Sequence, residues 1–276
     1  MVASIASSWP LISRSRLMVW RKLRLRKERE KSGLILIEGL RSVGEAIACA
    51  QKVEAILVAD DHDGLAAASR LGLGRGAANP EFQSPPILRV ARQEFEQMTD
   101  TVHSSGLAAV VAWRPLTWEA FAVRQARRIL YCDRMNDPGN LGTLIRTAAG
   151  LGLDGVLISP ESVEVTNPKV VRATAGAVFR LPIVSAVDVE QVGSWAGRQK
   201  FTIFLADVAH QSDPAPIPAP AKWILTIGGE THGLDPAWER LSCRRIGIKM
   251  SRGIESFNAG VAGALLMDRL MAGRDG

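Results

Sequence analysis

The chain has 276 residues, of which 47% are hydrophobic and 22% are charged, and its formal net charge at pH 7 is +6. This length and apolar content predict two folded domains and exclude a disordered chain. No apolar run approaches the roughly 20 residues that a membrane-spanning helix needs, and the three cysteines are far apart, so we expect a soluble protein without a structural metal.

The N-terminal segment is strongly basic. Glu28 is the only acid between Arg14 and Arg29, and helical periodicity extends from about Leu17 to Lys31. A surface that binds a polyanion and a solvated helix face explain this composition equally well. The first 27 residues contain no acid and are rich in Ser and Arg, as in transit peptides, so an organelle is an alternative to the cytoplasm.

Alternating strands and helices follow this segment. Apolar runs at 34–39, 53–60 and 106–113, with a helical pattern at 41–51, predict a small α/β domain over residues 1–113. After a linker at 114–127, a second α/β domain is expected over residues 128–276. Its five predicted strands are at 129–135, 155–159, 201–208, 223–230 and 244–250. The proline-rich stretch 213–222 predicts an extended surface loop.

The stretch GLGLDG at 150–155 has the glycine spacing of a dinucleotide-binding turn. Such a turn needs a strand before the first glycine and a helix after the last, because the helix N-terminus binds the pyrophosphate. Here the helical pattern precedes the glycines and the strand follows them. The stretch therefore indicates a helix stop before a strand, and an oxidoreductase is rejected.

Three polar clusters stand at junctions between strands, loops and helices. Asn140 and Arg146 span a loop-to-helix junction, Glu230 follows an apolar strand and two glycines, and Ser256 and Asn258 precede a helix of small residues. Each residue alone is a usual turn or cap residue, and Ser256 and Asn258 are both candidate caps. Because ligands bind at the carboxyl ends of strands in open α/β sheets, the clusters together predict one site.

In order and spacing, these three segments resemble the signature motifs of the SpoU (TrmH) family of RNA ribose 2′-O-methyltransferases in the SPOUT superfamily. The matching stretches are residues 136–159, 224–234 and 246–270, and the likeness extends over 129–270. Residues 21–47 and 95–113 are similar to the L30e-like substrate-binding domain that precedes many members.

The resemblance implies a parallel sheet flanked by helices, a deep trefoil knot in the C-terminal domain, and a homodimer formed through that domain. It implies S-adenosyl-L-methionine as the methyl donor and no metal. By motif position, the residues implied for donor binding are Gly228, Gly229, Ile248, Met250 and Phe257, with Leu205 and Ile227 as walls. Lys249 and Phe257 replace the proline and leucine that are usual in the family.

The resemblance also implies a catalytic set of Arg146, Asn140, Glu230, Ser256 and Asn258. Because a guanidinium stays protonated at physiological pH, we expect Arg146 to guide the developing oxyanion, with Glu230 as a candidate proton acceptor.

For the RNA, we expect contacts from Arg21, Lys22, Arg24, Arg26, Lys27 and Arg41. The expected substrate is large-subunit ribosomal RNA. The alternatives are ribose methylation of tRNA and an RNA-binding assembly factor that has lost the reaction.

Overall fold

The computed structural model describes residues 9–73, 85–99, 104–210, 217–252 and 255–273. Helices and strands alternate along the chain, as the sequence predicts. The first elements are α1 (Arg14–Arg21), α2 (Arg26–Ser32), β1 (Leu34–Glu38), α3 (Leu40–Ala48), β2 (Lys52–Ala59), α4 (His62–Arg70), β3 (Ile87–Val90), α5 (Arg92–Met98) and β4 (Leu107–Ala112).

The elements that follow are α6 (Trp118–Ala122), β5 (Arg128–Asp133), α7 (Pro138–Gly150), β6 (Gly155–Ile158), α8 (Pro168–Ala173), β7 (Ile183–Val184), α9 (Val189–Gln199), β8 (Thr202–Ala206), β9 (Trp223–Gly228), β10 (Cys243–Ile246) and α10 (Ala259–Ala272). Among the helices in the described ranges, none has the length and apolar character needed to cross a membrane.

Contacts divide the chain into two compact units. The N-terminal unit comprises Met1–Arg114 and Thr166–Phe179, and the C-terminal unit comprises Pro115–Val165 and Arg180–Gly276. The segment that contains α8 thus belongs by contacts to the N-terminal unit, although it lies within the second domain predicted from the sequence. The predicted boundaries at 113 and 128 stay predictions.

The N-terminal unit contains a four-stranded sheet in the order β1-β4-β2-β3. Strand β4 is antiparallel to both β1 and β2, and β3 is parallel to β2. Leu17, Trp20 and Leu23 are buried in the same core cluster as Phe95 and Met98. The apolar positions that gave the helical period of the basic segment therefore attach that segment to the sheet.

The helical periodicity from about Leu17 to Lys31 predicts one continuous helix, and this prediction is wrong. A 3-10 turn (Lys22–Arg24) follows α1, and Leu25 is extended, with φ −86° and ψ 130°, before α2 begins. The guanidinium of Arg29 is buried and donates hydrogen bonds to the carbonyls of Leu23 (2.8 Å) and Arg24 (2.7 Å). These bonds satisfy carbonyls that a continuous helix would have paired internally, and they stabilise the break.

The C-terminal unit contains a six-stranded sheet in the order β10-β8-β9-β5-β6-β7, in which every pair is parallel. Strands β5, β6 and β9 are buried along nearly their whole length, as expected for a parallel sheet covered on both faces. Because all strands run in one direction, their carboxyl ends share one edge. The two-residue strand β7 adds to the five that the strand patterns predict.

Two glycines of the C-terminal unit explain local features that the sequence predicts. Gly152 has φ +70° between the end of α7 and the start of β6, which confirms the helix stop in GLGLDG. A Cβ at Gly263 would overlap the side chain of Leu144, so α10 packs closely on α7.

The proline-rich stretch 213–222 is only partly described. Residues 213–216 are outside the described ranges, and residues 217–222 form neither helix nor strand.

Candidate active site

A cleft of about 660 Å³ opens at the carboxyl ends of β8, β9 and β10. The loops after these strands form its walls, together with the first turns of α10. All seven residues expected to surround the methyl donor line it: Leu205, Ile227, Gly228, Gly229, Ile248, Met250 and Phe257. Its volume is in the range typical of small-molecule sites, roughly 300–1,000 Å³.

A polar cluster stands at the rim of this cleft. The side-chain nitrogens of Asn140 and Asn258 each lie 3.0 Å from Oε1 of Glu230, and the backbone nitrogen of Ala259 lies 3.3 Å from the same oxygen. Nδ2 of Asn258 also donates to Oδ1 of Asn140, over 2.8 Å. The Asn140–Glu230–Asn258 cluster therefore joins one residue from each of the three polar segments identified in the sequence.

Helix caps position both asparagines. Asp137 caps the start of α7, because its Oδ1 accepts a hydrogen bond from the backbone nitrogen of Asn140, 2.6 Å away. A proline in the first turn also favours the start of the helix. Oδ1 of Asn258 accepts from the backbone nitrogens of Gly260 (3.1 Å) and Val261 (3.3 Å) and so caps α10. Of the two candidate caps in the sequence, Asn258 is the one that caps the helix.

Glu230 directs its two carboxylate oxygens differently. Oε1 accepts all three hydrogen bonds that the carboxylate receives, whereas no donor in the described part of the chain bonds to Oε2. The side chain is exposed and lines the cleft. One oxygen is thus held in place by protein donors, and the other is available to accept a proton.

Arg146 and Ser256 are not hydrogen-bonded to this cluster. Ser256 is exposed and shares the cleft lining with Glu230. The side chain of Arg146 is exposed on α7 and makes no hydrogen bond or ion pair to any residue that the structure describes. Of the five residues expected to be catalytic, hydrogen bonds therefore join three.

The glycines that line the cleft are required by the packing of the chain itself. A Cβ at Gly228 would lie 2.6 Å from the carbonyl carbon of Gly233, and a Cβ at Gly229 would overlap the carbonyl oxygen of Arg134. By motif position, the resemblance assigns both glycines to donor binding. The structure shows that protein backbone fills the space that a side chain would need.

Asp133, at the end of β5, organises the loop after Glu230. It is not among the site residues predicted from the sequence. Its buried Oδ2 accepts hydrogen bonds from the backbone nitrogen of Asp235 (2.7 Å) and from Nε1 of Trp238 (2.9 Å). Burial raises the pKa of this carboxyl, against the opposing effect of these hydrogen bonds. A charged residue at the end of an otherwise apolar strand was the signal available in the sequence.

Arg134, the next residue, also supports this loop. Its guanidinium donates to the carbonyl oxygen of His232, 2.9 Å away, and to that of Leu234. Its own backbone nitrogen donates to the hydroxyl of Ser159. Asp133 and Arg134 together connect the end of β5 to the segment that carries Glu230.

An ion-pair cluster of Asp207, Glu239 and Arg245 connects other parts of the cleft wall. Nη1 of Arg245 lies 2.6 Å from Oδ2 of Asp207, and Nη2 pairs with Glu239. The pKa of Asp207 is below its ordinary value. The main cause is the hydrogen bond from the backbone nitrogen of Ala209, and the hydrogen bond and positive charge of Arg245 add to it. Among the described residues that line the cleft, Arg245 is the only lysine or arginine.

The basic residues expected to contact RNA are all exposed in the N-terminal unit. Arg21, Lys22 and Arg24 line a separate groove of about 650 Å³. Arg26 pairs with Glu30 over 2.7 Å within α2. Lys27 and Arg41 lie on α2 and α3, outside this groove.

Comparison with known proteins finds two family matches. The SpoU rRNA Methylase family matches residues 127–268, and the MRM3-like substrate binding domain matches residues 15–109. A 23S rRNA (guanosine(2553)-2′-O)-methyltransferase from Bacillus subtilis is 29% identical over 91% of this chain and 94% of its own length. A mitochondrial rRNA methyltransferase 3 from Xenopus laevis is 26% identical over 88% of this chain and 70% of its own length.

The fold is similar to a solved structure, the SpoU methyltransferase AviRb from Streptomyces viridochromogenes in complex with AdoMet. The TM-score is 0.80 at 23% identity, and the match covers 95% of this chain and 99% of that chain. At this identity the likeness supports the shared α/β fold with its parallel sheet.

Proposed function

The chain belongs to the SpoU rRNA Methylase family, and from this we infer that it is an enzyme that transfers a methyl group from S-adenosyl-L-methionine to a ribose 2′-hydroxyl of ribosomal RNA. The Bacillus relative is named for 23S rRNA, which favours large-subunit RNA as the substrate. The observation that carries the proposal is the Asn140–Glu230–Asn258 cluster at the rim of a donor-sized cleft. This intact polar set argues against a protein that has lost the reaction.

The residues of the cleft fit the donor. Its apolar lining suits an adenine ring, and its carboxylates suit a ligand with a sulfonium and an ammonium group. We assign donor binding to Leu205, Ile227, Gly228, Gly229, Ile248, Met250 and Phe257. When bound, S-adenosyl-L-methionine supplies an electrophilic methyl group, so the task of the protein is to orient the ribose oxygen and to accept its proton.

The free oxygen of Glu230 is the proposed proton acceptor. Asn140 and Asn258 hold Oε1, which leaves Oε2 to take the proton of the ribose 2′-hydroxyl. With the donor bound, the methyl carbon would exchange its bond to the sulfonium sulfur for a bond to the 2′-oxygen, and the neutral thioether would leave. We assign to the exposed guanidinium of Arg146 the stabilisation of the developing oxyanion and of an adjacent phosphate. Ser256, in the cleft lining, helps to position the ribose.

We propose that the segment after β10 threads through the connection between β8 and β9 to form a trefoil knot. Two close approaches support this path. A Cβ at Gly247 would overlap the carbonyl oxygens of Asp207 and His210, and a Cβ at Gly273 would overlap that of Ile217. The segments before and after the cleft residues of the third motif therefore pass directly against the β8–β9 connection.

We also propose a homodimer formed through α10. Val261 and Leu265 are one helical turn apart and are 46% and 39% exposed, which leaves an apolar stripe for a second copy of the chain. The Bacillus relative favours a cytoplasmic location, and the mitochondrial relative keeps an organelle as the alternative.

The proposal is tested by incubating the purified protein with radiolabelled S-adenosyl-L-methionine and with 23S rRNA, 16S rRNA or bulk tRNA. We expect label in 23S rRNA and a single 2′-O-methyl position when the product is mapped. Label in tRNA alone would favour the tRNA alternative. Binding of RNA without any transfer would identify an inactive assembly factor.

A further inference from the structure

The most basic part of the N-terminal unit also exposes large apolar side chains. Met18 and Leu25 are 59% and 60% exposed, and both line the groove of about 650 Å³ introduced above. The remaining residues of its lining are Arg21, Lys22, Arg24 and Gln97. We name this the α1 groove. Single exposed apolar side chains are common, but an apolar pair that lines one groove and is surrounded by polar side chains is typical of an interaction site.

We propose that the α1 groove binds an unpaired nucleotide segment of the RNA substrate, with Arg21 and Lys22 on phosphates and Met18 and Leu25 against the base faces. The proposal rests on the proposed function, because it assumes that the protein binds RNA. It goes further in specifying single-stranded RNA and the side chains that recognise it.

The local structure fixes the apolar part of this groove. Leu17, Trp20 and Leu23 are buried in the core, so the face of α1 that carries Met18 points outward. The break after the 3-10 turn then turns Leu25 to the surface, and the buried guanidinium of Arg29 stabilises that break. The exposure of Leu25 therefore follows from hydrogen bonds that hold the backbone in place, and the groove is preformed.

The charges of the groove suit a polyanion. Its lining contains three basic side chains and no acid. The side chains of Arg21 and Lys22 make no hydrogen bond or ion pair to residues in the described ranges, whereas nearby Arg26 is paired with Glu30. Arg21 and Lys22 can therefore bind phosphates without first breaking an internal contact.

The apolar side chains decide between paired and unpaired RNA. An RNA duplex presents phosphates and 2′-hydroxyls at its surface but stacks its base faces inside, so Met18 and Leu25 would gain nothing from it. An unpaired nucleotide offers phosphate and an aromatic face together. The thioether of Met18 is also well suited to contact an aromatic ring.

The test measures RNA binding by the full-length protein at several salt concentrations. The probes are a fluorescent single-stranded RNA of about 12 nucleotides, within the usual site size, and a duplex of the same length. For the double variant Met18→Ser/Leu25→Ser, we expect about tenfold weaker binding of the single strand, an unchanged salt slope and unchanged duplex binding. Val123→Ser, at an 83% exposed apolar position of the C-terminal unit, is the matched control and should bind as the unmodified protein does.

The charge variant Arg21→Gln/Lys22→Gln should behave differently. It should weaken binding of both probes and lower the single-strand salt slope by about 1.4, because two phosphate contacts are lost. Thermal unfolding of each variant separates these effects from misfolding. The two pairs of side chains thus give distinguishable signatures in one assay.

Two outcomes would overturn the proposal: wild-type affinity of the apolar variant for the single strand, or an equal loss for single strand and duplex. An apolar variant that keeps its RNA affinity but no longer binds intact large ribosomal subunits would assign the groove to a protein partner instead. Methyl transfer to 23S rRNA is measured on the same preparations. If transfer occurs and the apolar variant has no effect, only this proposal fails. If no RNA is methylated, the proposed function fails.

Discussion

Nδ2 of Asn258 lies 3.0 Å from Oε1 of Glu230, while Oδ1 of the same asparagine caps α10. Because Oδ1 is occupied by the backbone nitrogens of the helix, the amide group has one orientation, and its nitrogen must face acceptors. The start of α10 and the orientation of Glu230 are therefore set by one side chain.

Replacing Asn258 with aspartate separates these two roles. The introduced carboxylate would still cap the helix, but the donor to Glu230 would be lost and a second carboxylate would stand beside it, so that the two could not both ionise easily. For Asn258→Asp we expect about a hundredfold lower kcat in the methyl transfer assay, with a nearly unchanged melting temperature.

The matched control for this change is Asn167→Asp. Asn167 caps α8 in the same way, through a 2.9 Å bond to the backbone nitrogen of Lys169. The Asn167→Asp variant should retain full turnover. An Asn258→Asp variant as active as this control would refute the role given to the Asn140–Glu230–Asn258 cluster.

Arg146 is expected to act on the transition state rather than on donor binding. It is exposed on α7 and does not line the cleft, so its loss should leave the walls of the cleft intact. We expect Arg146→Ala and Arg146→Lys to lower kcat by about 10²–10³-fold, while calorimetry shows unchanged affinity for S-adenosyl-L-methionine. Arg198→Ala removes an exposed arginine of α9 as a control, and wild-type turnover by either Arg146 variant would contradict the assignment.

The sequence allowed much of this site to be predicted, because its residues stand where strands end. Asn140, Glu230 and Asn258 are brought together by parallel strands that share one edge, and period-2 and period-3.6 patterns indicate those strands and the helices after them. The choice between Ser256 and Asn258 as the cap depended on the path of the loop, which no local pattern specifies. The identity of the methyl donor and the trefoil knot were predicted only from the resemblance to the SpoU (TrmH) family.

Tertiary contacts explain what the sequence did not predict. Arginine, lysine and leucine all favour helix, so nothing local indicates the break at Leu25. The break is stabilised by the buried Arg29, whose contacts exist only in the folded unit. Asp133 was missed for a similar reason, because its partners Asp235 and Trp238 are about a hundred residues away in the sequence.

Arg245 should control donor affinity through the shape of the cleft. It connects Asp207, after β8, to Glu239 in the 3-10 helix Pro236–Arg240. The three side chains are partly exposed, so each pair contributes only about 0.2–1 kcal/mol, and we expect Arg245→Met to raise the KM for S-adenosyl-L-methionine about three- to tenfold with little change in kcat.

The neighbouring arginine provides the control for this prediction. Arg244 is also exposed on β10 but does not line the cleft, because successive residues of a strand face opposite sides. Arg244→Met removes the same charge and should leave KM unchanged. Equal effects of the two substitutions would show that Arg245 acts only through the net charge of the protein.

The buried carboxyl of Asp133 should make stability depend on pH. Because its pKa is raised, the native protein keeps a proton that the unfolded chain releases near the ordinary aspartate pKa of about 4. The stability contributed by this proton is fully present below that value and is lost as the pH rises through the raised pKa. Asparagine resembles the protonated form. Its oxygen can accept hydrogen bonds from Asp235 and Trp238, and its nitrogen takes the place of Oδ1, which has no hydrogen-bond partner among the described residues.

We therefore expect Asp133→Asn to gain stability relative to the unmodified protein as the pH rises from about 4 through the raised pKa of Asp133, as measured by urea unfolding followed by tryptophan fluorescence. Asp133→Leu should instead destabilise at every pH, by about 2–4 kcal/mol, because it leaves two donors without an acceptor. Asp188→Asn, at the exposed cap of α9, is the control, because it measures the effect of the same chemical change on stability at an exposed position. A stability difference between Asp133→Asn and the unmodified protein that stays constant with pH would show that Asp133 does not hold this proton in the folded state.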